Sequence, residues 1–182
     1  MLRRVIETLV VLLVVATVSL LGAARIWHEP GQGVYWRIAE LLKQPQDSGP
    51  VDFVQLQRRA SPSDALICSE RLCQKAKPEL VSPIFPVSAD DLRKKVTLVV
   101  LSEPNSVELT CASGCNRSGR FVEYSTLFQF PDTIDVQVSE AGATSSTLAI
   151  YSRSVVGYGD QGVNLERAKR WLAALQRIMP RA

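Results

Sequence analysis

The sequence predicts an α+β domain behind an N-terminal membrane segment, on three observations. An uncharged, Leu- and Val-rich run from Thr8 to Ala24 stands near the start. Short apolar or alternating segments between residues 97 and 154 read as β-strands. A strongly amphipathic stretch, Asn164 to Met179, then reads as a long helix. With a short helix before the strands, this order implies an antiparallel sheet of about five strands packed against a short N-terminal helix and a long C-terminal one. Residues 1–25 are the expected anchor or signal peptide, 26–60 a juxtamembrane helix and linker, and 61–180 the globular domain.

A helix of about 17 residues spans roughly 26 Å at about 1.5 Å per residue, just enough for a bilayer core. Val5 and Ile6 extend the run if Glu7 sits at the membrane edge, so the bilayer is the expected partner of residues 5–24. Arg3 and Arg4 precede the run, which favours a cytoplasmic N-terminus, a single pass through the inner membrane and a periplasmic domain. Arg25, Arg37 and Lys43 follow it and weaken that bias. Leu21-Gly-Ala23 and Gly22-Ala-Ala24 are small-residue cleavage sites, so a cleaved signal peptide is the competing reading. Trp27, Tyr35 and Trp36 favour the anchor, because amphipathic rings prefer the headgroup layer. Both readings put the domain outside the cytoplasm.

Val34, Ile38, Leu41 and Leu42 recur at helical spacing up to about Lys43, and Pro45 to Pro50 is a linker. Val51 to Pro86 has weak periodicity and several prolines, which predicts an irregular arm held by the first cysteine pair. Ser88 and Asp91 make a capping-box-like helix start, with Val87 and Leu92 placed for a hydrophobic staple, and the helix should end near Val96. Strands are then expected at Thr97–Ser102 and Val107–Ala112, with a turn at Glu103–Ser106 between them. A third is expected at Phe121–Phe130, where Val122, Tyr124, Thr126, Phe128 and Phe130 share a face. Pro131-Asp132 should break it before Ile134–Ser139, and a turn at Glu140–Ser146 should lead to the last strand, Thr147–Ser154. Short connections favour antiparallel neighbours. Leu165, Ala168, Leu172, Leu175 and Met179 form the stripe of the final helix, widened by Trp171 and Ile178, with Glu166 and Arg170 placed to pair.

The net charge of +3 comes without a basic cluster, so nucleic acid is not an expected partner. Four cysteines, Cys68, Cys73, Cys111 and Cys115, permit three pairings, of which Cys68–Cys73 with Cys111–Cys115 is the simplest. The same spacing approaches a four-thiolate zinc site, but an oxidising compartment favours disulfides, and no metal is expected.

Gly157-Tyr-Gly-Asp-Gln-Gly162 matches the dinucleotide fingerprint between a strand and a helix. About 20 residues follow Gly162, too few for the second parallel strand that such a unit needs, so neither a nucleotide nor another cofactor is expected. The helix start could hold an anion, with Arg153 adding charge, though Asp160 would repel it. The bland alternative has Asp160 pairing with Arg153 or capping the turn and Asn164 capping the helix.

Two segments resemble the uncharacterised bacterial and plastid family named domain of unknown function 1499, and the likeness extends from about Pro62 to Leu175. Phe128-Gln-Phe-Pro-Asp-Thr-Ile-Asp135 is similar to the family's Phe-Arg-Phe-Val-Asp-Asp-Val-Glu. Asp132 matches the first acid and Asp135 replaces the Glu, while Thr133 stands where a second Asp is usual, which weakens a metal–carboxylate reading. Between Tyr151 and Arg167, Ser152, Arg153, Gly157, Asp160, Gly162, Asn164 and Arg167 match the family's pattern. The resemblance implies no activity.

His28, the single histidine, stands beside the apolar run, so the domain lacks an imidazole base. No nucleophile elbow or zinc-protease helix occurs. The expectation is a non-enzymatic binding or interaction module of the cell envelope, its partner an envelope protein or a small amphiphile. Its candidate corner comprises Arg153, Asp160, Asn164 and Arg167, with Asp132 or Asp135 brought near Arg153 by strand pairing. One alternative is a carrier of a small amphiphile or anion at the strand–helix corner. The other is an enzyme using Asp132, Asp135 or Asp160.

Overall fold

The computed structural model describes residues 10, 12–17, 39–41, 46–109 and 116–180. Most of the expected anchor and juxtamembrane helix, together with Cys111 and Cys115, lies outside the described residues. Among the described residues no helix is long and apolar enough to cross a membrane.

The elements run β1 (Asp64–Cys68), β2 (Leu80–Val81), α1 (Ala89–Leu101), β3 (Ser106–Glu108), β4 (Ser118–Tyr124), β5 (Pro131–Gly142), β6 (Ser145–Ser154) and α2 (Val163–Arg177). The α+β class is as expected, but the sheet has six strands, in the order β2-β1-β6-β5-β4-β3. Every pairing is antiparallel except β1 with β2. Both additional strands lie in the stretch expected to be irregular.

Local chemistry explains the boundaries. Ser88 has extended backbone angles, and its hydroxyl accepts the Asp91 N–H at 3.1 Å, starting α1 with two acids in its first turn. The helix then runs through the expected strand at Thr97 to Leu101. Ala89, Leu92, Val96, Val99 and Val100 are buried at helical spacing, so tertiary packing outweighs the β-branched propensity of that run. Strand β4 stops at Tyr124, because Ser125 and Gln129 close a turn: the Gln129 N–H donates to the Ser125 carbonyl at 3.0 Å. Phe128 and Phe130 therefore leave the expected strand face and are exposed. Pro131, expected to end the preceding strand ahead of one at Ile134, instead starts β5, since a first strand position tolerates the missing donor. The expected seven-residue turn shrinks to Ala143-Thr144, with a ladder irregularity between Glu140 and Gly142.

Both helices cover one sheet face. Leu92, Val96 and Val100 of α1 and Ala168, Trp171 and Leu175 of α2 form one core with Phe121, Ile134, Val136 and Ile150. Burying each large aliphatic side chain there contributes roughly 1.5–3 kcal/mol. Ile178, expected to widen the stripe, is exposed. Arg170 pairs with Glu103 and Glu123 instead of Glu166, which pairs with Lys169. On the opposite face, Phe53, Leu56, Leu72, Cys73 and Ala76 cover Leu66, Cys68, Ala149 and Tyr151. The Cys68–Cys73 bridge, with its Cα atoms 6.1 Å apart, sits in this second core.

Candidate functional site

The alternation of a strand sends successive side chains to opposite faces. In β6, Ser152 and Ser154 face α2 while Arg153 faces away; in β5, Asp132 and Asp135, an odd number apart, also part company. The expected single corner is therefore two ionic clusters, one on each face.

The helix-side cluster centres on Asn164 and Arg167, which occupy the first two buried positions of α2, in line with Ala168, Trp171 and Leu175. The Asn164 amide nitrogen donates to Ser154 Oγ (3.0 Å), the Ser63 carbonyl (3.2 Å) and Asp160 Oδ2 (2.7 Å). Its Oδ1 accepts from Ser152 Oγ (2.6 Å) and Arg167 Nη1 (2.8 Å). Arg167 Nη2 reaches Asp132 at 2.7 Å, and its Nε lies 2.9 Å from Glu123. Burial works against the Arg167 charge, but Asp132 and Glu123 more than offset it and raise its pKa.

Asn164 is not the cap. The Asp160 carboxylate accepts the Gly162 N–H at 3.0 Å and the Asn164 N–H at 2.9 Å. The helix start thus takes its anion from its own chain. Burial pushes the Asp160 pKa up, and these donors more than reverse that, holding it below the ordinary carboxylate value.

On the outer face, strand register sets Arg120 opposite Asp135 and Asp135 opposite Tyr151, with Arg153 diagonal to Asp135. Asp135 bridges Arg120 Nε (3.0 Å) and Arg153 Nη2 (2.6 Å), and Arg120 continues to Asp47 at 2.5 Å. Asp47 also accepts from Thr133 Oγ1 at 3.0 Å, Thr133 Oγ1 accepts the Ser48 N–H at 2.9 Å, and Arg153 donates to the Gly49 carbonyl. Residues 47–49 are clasped to the sheet by these bonds. Arg59 adds a bond to the Ser154 carbonyl at 2.7 Å. Burial raises the Asp135 pKa, and Arg153 and Arg120 offset this only in part; burial likewise lowers that of Arg153.

The Arg153 guanidinium carbon lies 5.1 Å from the Tyr151 ring centroid, a cation–π distance. The Tyr151 hydroxyl donates to Asp64 at 2.5 Å, and Asp64 pairs with Arg58. Arg153 and Asp160 do not meet, because they lie on opposite sides of the sheet. The separation of Asp132 from Asp135 also removes them as a paired acid and base. Among the described residues no group of three or more His, Cys, Asp or Glu side chains could hold a metal ion. Asp47, Thr133, Arg120, Glu123, Ser152 and Ser154 complete the clusters and were not singled out as site residues from the sequence.

The chain matches the model of a family described as "Protein of unknown function (DUF1499)" over residues 63–175. It belongs to the DUF1499 family. No curated protein matches it. The helix-side cluster falls wholly inside the matched DUF1499 region. The outer cluster reaches beyond it, to Asp47, Ser48, Gly49 and Arg59.

Proposed function

We propose that this DUF1499 protein is a membrane-tethered, extracytoplasmic interaction module that acts by binding. The observation that carries the reading is the clasp of Arg153, Asp135, Arg120 and Asp47. It fastens residues 47–49, which lie between the apolar N-terminal run and the DUF1499 region, onto the sheet. The charged groups of both clusters serve this fastening and the docking of α2, which leaves recognition to surfaces outside them. An anion carrier at the helix start is disfavoured, because Asp160 already takes the N–H groups that an anion would need.

The test is alkaline phosphatase fused at Ala182 of the full chain, with the intact mass of the untagged protein recovered from membranes. Active phosphatase and an uncleaved mass are expected. An inactive fusion would overturn the topology, and a mature form beginning near Ala24 or Arg25 would overturn the tether.

A further inference from the structure

We infer that the β4–β5 and β6–α2 loops form a second membrane contact, dipping an apolar rim into the bilayer surface beside the tether. The two loops leave the same end of the sheet, where Tyr124 pairs with Pro131, Asp132 pairs with Ser154, and the Val155 N–H donates to the Pro131 carbonyl at 3.2 Å. At this end Leu127, Phe128, Phe130, Val156, Tyr158 and Val163 are all exposed. Large apolar side chains from two chain segments thus share one rim, as interaction surfaces do.

The β4–β5 loop is inside out. Gln129 is 3% exposed, whereas its neighbours Phe128 and Phe130 are 57% and 40% exposed. The inversion is held in place: Gln129 N and Nε2 both donate to the Ser125 carbonyl, the Phe130 N–H donates to Ser125 Oγ, and the two rings stack with centroids 5.5 Å apart. Among the described residues, the non-glycine positions with positive φ are Gln129 (57°) and Gln161 (53°), one in each loop. Unfavourable backbone geometry that presents aromatic rings to the outside points to a surface role.

The occupant follows from where the chain enters. Asp47 and Ser48 are bonded to Thr133, two residues from Pro131, so the described chain that leads back toward the apolar run meets the sheet near the end that carries the rim. Aromatic rings with a polar edge, such as Tyr158, suit the headgroup layer. The nearby charges favour a zwitterionic over an anionic surface: Asp132, Glu123 and Glu103 share Arg167 and Arg170, and Asp160 meets backbone N–H groups. Because the contact is apolar, it should be insensitive to salt.

This inference rests on the tether reading, and the experiment separates the two. The full chain is reconstituted in phosphatidylcholine vesicles containing a diazirine-bearing phospholipid, illuminated, and its adducts mapped by peptide. Adducts on residues 125–131 and 155–163, unchanged by added salt, are expected. In Phe128→Ser with Phe130→Ser they should fall severalfold at an unchanged thermal midpoint, and Tyr158→Ser supplies a second variant in the other loop. Unlabelled loops beside a labelled Thr8–Ala24 segment would overturn the inference, as would loop adducts undiminished in all the variants. Loop-to-loop crosslinks between two copies in place of lipid adducts would also overturn it, pointing to self-association. An unlabelled Thr8–Ala24 segment with labelled loops would remove the tether and leave the loop contact standing.

Discussion

The two ionic clusters draw on the same strands yet join different things. On the helix side, Asn164 and Arg167 tie α2 to β5 and β6 within the DUF1499 region. On the outer side, Arg153 and Arg120 tie residues 47–49, which precede that region, to the same sheet. One cluster helps to build the domain, and the other fixes the domain to what comes before it. The difference implies that damage to the first is global and damage to the second is local.

The sharpest test of this asymmetry is Arg167→Ala. It strips a buried cation from Asp132, Glu123 and Asn164 Oδ1, and breaking such an arrangement costs about 3–5 kcal/mol. Urea denaturation should show a large fall in midpoint, with α2 and the sheet lost together. Arg153→Ala should cost less, about 1.5–3 kcal/mol taken from the attachment of residues 47–49 rather than from the unfolding midpoint, because Asp135 keeps Arg120. Its loss should appear first as faster proteolysis near residues 46–60. If Arg153→Ala proved the more damaging of the two, the comparison would be reversed.

Part of this was legible beforehand. The apolar stripe of α2 and the alternation in β5 announced a helix on a sheet, and the Arg153-to-Arg167 motif pointed to residues that do lie in the clusters. Strand β1 escaped notice because Ala65, Leu66, Ile67 and Cys68 are buried on both faces, so the run shows no alternation. Thr97–Leu101 looked like a strand by composition, and only its packing against the sheet keeps it helical. The split of the corner was readable in principle: Ser152 and Ser154 are in phase with Leu148 and Ile150, which places Arg153 on the other face. Asp47 was out of reach, since a contact across 73 residues with Arg120 has no local signal.

Smaller effects refine the comparison. Asp160→Ala removes the side chain that caps α2 and should cost about 1 kcal/mol, read from the denaturation midpoint. The pH dependence should carry opposite signs at Asp160 and Asp135. Asp160, held below its ordinary value of 3.8, contributes stability that is complete above that value and is lost as pH falls through the lowered one. The gap between wild type and Asp160→Asn should therefore shrink in acid. Asp135, raised above 3.8 by burial, has the reverse sign: its ionisation lowers stability as pH climbs from 3.8 through the raised value. A gap for Asp160→Asn that stays constant down to pH 2 would contradict this assignment.

The most direct measurement is native-state amide hydrogen exchange on the full chain carrying Arg153→Met. The clasp predicts that protection at Ser48, whose N–H donates to Thr133, falls sharply while the amides of α2 keep theirs. Equal loss along α2 and at Ser48, or an unchanged Ser48, would contradict the assignment of two clusters with separate tasks.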